Sequence, residues 1–204
     1  RSNFSAWFFD GKKISCIEQH WSLKWISAFY NANALVFVIL GAKMWDMNSV
    51  PGKLMGLASF GKYQSELEEW LTNNHLFGNL WHSKTDFFDK AKARFGIEMK
   101  QLNTTERFLQ DIAATLQEIF VRELLQQVNR LKQLTGAECL YYAGGSALNI
   151  VANTRIIKQC GFKQVFIPPC CNDSGLALGA AAFYQWERGI GIQSHHAYLN
   201  NWNI

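Results

Sequence analysis

The strongest regular signal in this chain runs from Asn103 to Leu134, where apolar residues recur at 108, 112, 116, 119, 120, 124, 128 and 131. Spacings of three and four residues place such side chains on one side of an α-helix. Asn103, followed three places later by Glu106, resembles a capping box with Asn in place of the usual alcohol. Gly136 predicts a left-handed close to the same helix.

Beyond that helix the pattern alternates. A strand is predicted over 139–143, a helix over 146–160, a strand over 163–167 and a helix over 174–188. Two strands joined by a helix run parallel, with a right-handed crossover, so this third of the chain reads as α/β. Ahead of the helix, "SAWFFDGKKISCI" holds two strand-like runs around Asp10-Gly11, a dipeptide that favours a tight hairpin. Residues 22–40 carry apolar side chains on all sides and predict a helix buried from several directions. Short helices are expected within 52–61, over 65–74 and near 86–95.

Hydrophobic residues make up 49% of the 204, enough for a real core and too many for a disordered chain. The net charge is +4, but the basic residues are scattered without a stripe or arm, which argues against nucleic-acid binding. Five cysteines, none in C-x-x-C spacing, fit reduced thiols in a cytoplasmic protein. "ALVFVILGA" at 34–42 is too short to cross a bilayer. The chain opens on Arg1 without a secretory start, and a piece of something longer is expected.

The residues with chemical potential cluster late. Gly144 and Gly145 sit between a predicted strand and a predicted helix. Lacking Cβ atoms, they let backbone approach a ligand, and unbonded amides at a helix start favour an anion. Ser146 adds a hydroxyl, and Asn149 and Asn153 lie about one helical turn apart, on one face. The alternative is a βα turn with polar residues in water. Asp173 precedes a second helix rich in small residues; it is either an N-cap or a metal ligand, and the residues by themselves favour the cap. Lys53, in "GKLMGLA", is either a phosphate contact or a solvated loop lysine. The adjacent pair His195-His196 points to opposite faces of an extended chain, which argues against a shared metal. His20 follows a strand and has no evident carboxylate partner. Cys170-Cys171 reads as buried thiol.

Three blocks, "GKLMGLASFG" at 52–61, "AGGSALNIVANTRI" at 143–156 and "VFIPPCCNDSGLALGAAAF" at 165–183, resemble the NodU/CmcH-type carbamoyltransferases. "HHAYL" at 195–199 is similar to the close of that family's transferase domain. The resemblance implies part of an actin-like ATPase (RNase H-like, ASKHA) domain: an α/β fold with a mixed sheet and flanking helices. Residues 1–204 would be its second lobe, without the first lobe or the YrdC-like domain that makes carbamoyl-adenylate from carbamoyl phosphate and ATP. The carbamoyl group would pass to a hydroxyl of a sugar, antibiotic or related small molecule.

By that resemblance Gly144, Gly145, Ser146 and Asn149, with Asn153 on the same face, would hold the phosphate and ribose side of the adenylate. Lys53 would face the nucleotide from the other glycine block, and Asp173 would be one ligand of a metal, iron or another divalent ion. The family's H-x-x-x-H motif does not occur in this sequence. Ser146 stands where the family often has valine. No general base stands out beyond His20. The first strand of an actin-like lobe is also missing ahead of the hairpin, so a neighbouring copy or a rearranged hairpin is expected to fill its place. The rival functions are a sugar-kinase-like phosphotransferase of the same superfold and a non-catalytic nucleotide-binding module.

Overall fold

The computed structural model describes residues 4–20, 49–73, 84–98 and 104–191. The predicted helix at 22–40, the apolar run at 34–42, Asn103 and the His195-His196 pair lie outside them. The chain forms two compact units, Arg1–Leu131 and Lys132–Ile204.

The first unit opens with strands β1 (Phe4–Phe9) and β2 (Ile14–His20), paired antiparallel with a register shift between Ala6 and Trp7. The hairpin forms as expected, but its loop is Asp10–Lys13 rather than a two-residue turn. Asp10 accepts from the amides of Lys12 and Lys13, both at 2.8 Å, and Gly11 takes φ 95°. The side chain closes the loop, which is why the turn extends past Gly11.

Helices α1 (Val50–Ala58), α2 (Ser65–Asn73), α3 (Lys84–Phe95) and α4 (Arg107–Thr135) follow. Helix α4 starts at Arg107, so Glu106 flanks it rather than lying within its first turn; Asn103, the other half of the expected capping box, lies outside the described residues. Gly136 closes it at φ 65°, its amide donating to the Lys132 carbonyl at 2.8 Å. From Ile112 to Leu125 most of α4 is buried, including Thr115 and Gln117; only Arg122 is exposed. The helix is therefore covered on several sides, not along one stripe. Leu54, Leu71, Leu116 and Phe120 pack in this core. Trp70, Phe95 and Phe108 form an aromatic cluster, with Trp70 and Phe95 edge to face at 5.2 Å, a geometry that aromatic rings prefer.

The loop from Phe60 to Gln64 is pinned to α4 by backbone groups. Arg107 donates to the Phe60 carbonyl at 3.0 Å, Asp111 accepts from the Lys62 amide at 2.7 Å, and the buried Thr115 hydroxyl accepts from the Gln64 amide at 3.1 Å. Gly61 must be glycine here, because a Cβ would stand 1.9 Å from the Gln110 carbonyl oxygen.

The second unit contains β3 (Cys139–Tyr141), a 3₁₀ turn (Gly145–Leu148), α5 (Ile150–Gln159), β4 (Gln164–Phe166) and α6 (Gly175–Glu187). Strands β3 and β4 pair in parallel, Cys139 opposite Gln164, as the alternation predicted. Among the described residues the strands form two separate two-stranded sheets. Lys132 closes the C-terminal end of α5, donating to the Cys160 and Gly161 carbonyls at 2.9 and 2.6 Å, as a cation at a helix end can.

Candidate functional site

Both loops that follow the parallel strands meet at one point. The chain leaves β3 through Tyr142 and Ala143 and turns at Gly144, which takes φ 111° and ψ 169°. That region of backbone space is essentially reserved for glycine. The Gly144 amide donates to the Cys171 carbonyl at 2.6 Å, tying the β3 loop to the β4 loop. Sites in α/β folds form where such strand ends gather.

The predicted helix over 146–160 does not start at Ser146. Residues Gly145–Leu148 make a 3₁₀ turn, and the α-helix begins only at Ile150. Asn149 causes the break. It is extended at φ −79° and ψ 95°, and its Oδ1 accepts from the Ala152 amide at 3.0 Å. An Asn at this position competes with the helix for its own backbone and becomes the N-cap. Asn149 is therefore not on a helix face shared with Asn153; it is buried below that face at the cap.

Asn153 instead reaches back to the turn. Its Nδ2 donates to the Ala147 carbonyl at 2.7 Å, while its Oδ1 is buried without a hydrogen-bond partner. A second orphan lies close in sequence: the Tyr142 hydroxyl is also buried and unpartnered. Each such group costs about 1–3 kcal/mol. Burial, with the nearby Cys171 thiol adding to it, pushes the Tyr142 hydroxyl well above the ordinary tyrosine pKa, so it stays protonated. Sequence reasoning missed Tyr142 because it read as one more strand residue. The available signal was a hydroxyl-bearing side chain at a strand end, two places before paired glycines.

Gly144, Gly145, Ser146 and Asn153 thus surround one turn, with Asn149 at its foot. A Cβ on Gly144 or Gly145 would meet nothing within 4 Å, so space beside the turn is open. The first amides of the turn, Gly145 and Ser146, have no intrahelical acceptor. An anionic or polar ligand fits this arrangement of open space, amides and unmet polar atoms.

Asp173 lies on the β4 loop and is exposed. It is not the helix cap: Ser174 occupies that position, without a side-chain cap bond, and Gly175 begins α6. Gly175 is needed for packing, since a Cβ would fall 2.1 Å from the Cys170 carbonyl oxygen. Among the described residues no group of three His, Cys, Asp or Glu is placed to hold a metal ion. All five cysteines are free thiols, and Cys171 is buried.

Lys53 belongs to the first unit. It is exposed and lies inside α1, not on a loop, with its amide donating to the Ser49 carbonyl at 3.1 Å. His20 does have a carboxylate partner: Glu18 Oε2 lies 3.1 Å from its Nε2. Residues two apart on a strand share a face, a relation visible in "EQH". Arg130 pairs with the other oxygen of Glu18. Partial burial raises the Glu18 pKa, but the hydrogen bonds from His20 and Arg130 together outweigh it and leave that pKa lowered.

Residues 5–182, which enclose the glycine turn and both loops, match the family described as Carbamoyltransferase N-terminus. This chain belongs to that family. Among its relatives, Nodulation protein NolO of Bradyrhizobium diazoefficiens is 34% identical over 154 residues, covering 74% of this chain and 27% of that protein. Nodulation protein U of Rhizobium tropici is 38% identical over 156 residues, 67% of this chain and 26% of its own length. The 3'-hydroxymethylcephem-O-carbamoyltransferase of Streptomyces clavuligerus is 31% identical over 137 residues, 64% of this chain and 24% of its length. The chain spans about a quarter or less of the length of the curated relatives it matches. No helix among the described residues of this carbamoyltransferase-family chain is long and apolar enough to cross a membrane.

Proposed function

We propose that this chain forms the nucleotide-facing part of an O-carbamoyltransferase with an actin-like domain. The donor is carbamoyl-adenylate, made from carbamoyl phosphate and ATP. The acceptor is a hydroxyl of a sugar, antibiotic or similar small molecule. The observation that carries this reading is the family match across residues 5–182, with the glycine turn inside it.

The chemistry is acyl transfer to oxygen. The acceptor oxygen bonds to the carbamoyl carbon, the bond from that carbon to the phosphate oxygen breaks, and AMP leaves with the electron pair. The acceptor proton passes to solvent. Because adenylate is already a good leaving group, the protein's work is to position the reactants and to stabilise charge as it develops. Gly145 and Ser146 amides would meet the phosphate, Gly144 gives the turn its shape, and Asn149 holds the start of α5 so that the turn stays separate from the helix.

Product analysis tests this. The full-length protein is incubated with carbamoyl phosphate, ATP and a panel of sugars and hydroxymethyl compounds, and the products are read by mass spectrometry. A carbamoylated acceptor with release of AMP is expected. A phosphorylated acceptor would assign a kinase of the same superfold, and nucleotide binding with no product would assign a binding module.

A further inference from the structure

The second unit leaves two apolar surfaces unmet. One is a face of its parallel sheet. Tyr141 and Phe166 stand opposite each other in the register of β3 and β4, their ring centroids 5.3 Å apart, and they are 65% and 56% exposed. The opposite face, with Leu140 and Val165, is half-buried. Parallel sheets are normally covered on both faces, and by helices. The other surface is helix α6. From Gly175 to Trp186 it carries no charged residue, yet none of its residues is buried. Leu176, Leu178, Phe183, Tyr184 and Trp186 are between 55% and 65% exposed. A helix with apolar residues on every side belongs inside a protein. Its start is fixed at the sheet end, because Gly175 packs against the Cys170 carbonyl and the Cys171 carbonyl accepts from the Gly144 amide. Its later turns leave the Tyr141–Phe166 face uncovered.

We propose that two copies of this chain exchange α6, each helix lying on the Tyr141–Phe166 face of its partner. The inference is independent of the function proposed above. Each surface supplies what the other lacks: a sheet face without a helix, and a helix without a sheet. A two-fold axis satisfies both at once and closes the assembly, so no third copy adds. The seven large side chains on the two surfaces offer roughly 800 Å² per copy, which is what each partner of a stable complex buries. Neither surface sets a charge in the contact, since β3 is Cys-Leu-Tyr and β4 is Gln-Val-Phe. No ion is stripped of water when they meet. Phe183, Tyr184 and Trp186 are of the residue types enriched at such contacts. A partner of another kind would have to bring both a helix and a sheet face to match, whereas a second copy brings both by identity.

Sedimentation velocity on the full chain tests this, with Phe166→Glu and Trp186→Glu as variants. Wild type is expected to be a dimer at about 10 μM, and each variant alone to associate about tenfold more weakly or worse. Mixing the two variants is expected to restore part of the loss. In the mixed pair the intact α6 of the Phe166→Glu copy meets the intact sheet face of the Trp186→Glu copy, so one of the two contacts survives. Both residues are exposed in a single copy, so the circular dichroism of each variant is expected to match wild type. Tyr141→Ser and Leu178→Ser repeat the test where a glutamate unfolds the chain. A wild type that is monomeric at about 100 μM overturns the proposal. So does a Phe166→Glu chain that dimerises like wild type, which would mean that the helices pair with each other or that another surface is used. Mixed variants that associate no better than either alone overturn the exchange as well.

Discussion

The Gly144 amide donates to the Cys171 carbonyl at 2.6 Å, and this single bond joins the loops that leave the two parallel strands. It brings the glycine turn and the Asp173 loop to one end of the sheet. The bond depends on a backbone conformation at Gly144, φ 111° and ψ 169°. Residues with a Cβ resist that conformation.

The two neighbouring glycines are therefore expected to behave differently. Gly144→Ala forces a Cβ into a glycine-only region and should cost about 1–3 kcal/mol of stability. Gly145→Ala meets nothing within 4 Å and has no positive φ. Its stability should change by less than about 1 kcal/mol. Urea titrations of the two variants read the contrast. Equal losses would show that the bond from Gly144 to Cys171 does not hold the turn. A larger side chain at 145, by contrast, should lower nucleotide affinity without lowering stability.

Asn149→Ala removes the N-cap of α5. The Ala152 amide loses its acceptor at 3.0 Å, and the expected cost is ~1 kcal/mol. Asn149→Asp keeps an acceptor oxygen at the same place and should recover most of that loss. Thermal melts of both variants check the pair, and an alanine variant as stable as wild type would remove the cap from the account.

How much of this could be read ahead of the structure depended on length and on local competition. Helix α4 was legible because its apolar spacing persists through many turns, and Gly136 marked its end at the observed φ of 65°. Its start was not legible: Asn103 and Glu106 have the right spacing for a cap, yet the helix waits for Arg107. The parallel pair of β3 and β4 followed from the alternation of strands and helices. The break at Asn149 was hidden because the apolar pattern continues across it, while one side-chain bond decides where the helix begins. Gly144, Gly145, Ser146 and Asn153 were found as residue types at a strand–helix junction. Tyr142 was not, because whether a hydroxyl is satisfied is a property of packing, not of spacing.

Gly61→Ala should be among the most damaging small substitutions in the first unit. Its Cβ would stand 1.9 Å from the Gln110 carbonyl oxygen, a helix backbone atom that cannot yield as a side-chain tip does. Overpacking of this kind costs about 1–3 kcal/mol. The bonds from Arg107, Asp111 and Thr115 to the same loop then lengthen together. Faster hydrogen exchange at the Lys62 and Gln64 amides is the expected signature, alongside a lower melting point. Unchanged exchange at both amides would show that the loop is held some other way.

Acid should loosen the first unit through Glu68. Arg122 donates to both of its oxygens and Tyr63 donates to Oε2 at 2.8 Å. The Arg122 hydrogen bond, opposed by partial burial and helped by Tyr63, holds the Glu68 carboxyl below its ordinary value of 4.5. A folded pKa lower than the unfolded one means that folding favours the charged form. The resulting stability is complete above the unfolded value and is lost as pH falls through the folded one. The melting temperature should therefore drop between about pH 5 and pH 3, with other carboxylates contributing to the slope. Glu68→Gln should be less stable than wild type near neutral pH and lose less on acidification, so the two melting curves converge at low pH. Parallel curves, with a constant gap from neutral to acid, would show that the charge on Glu68 contributes nothing to holding α2 against α4.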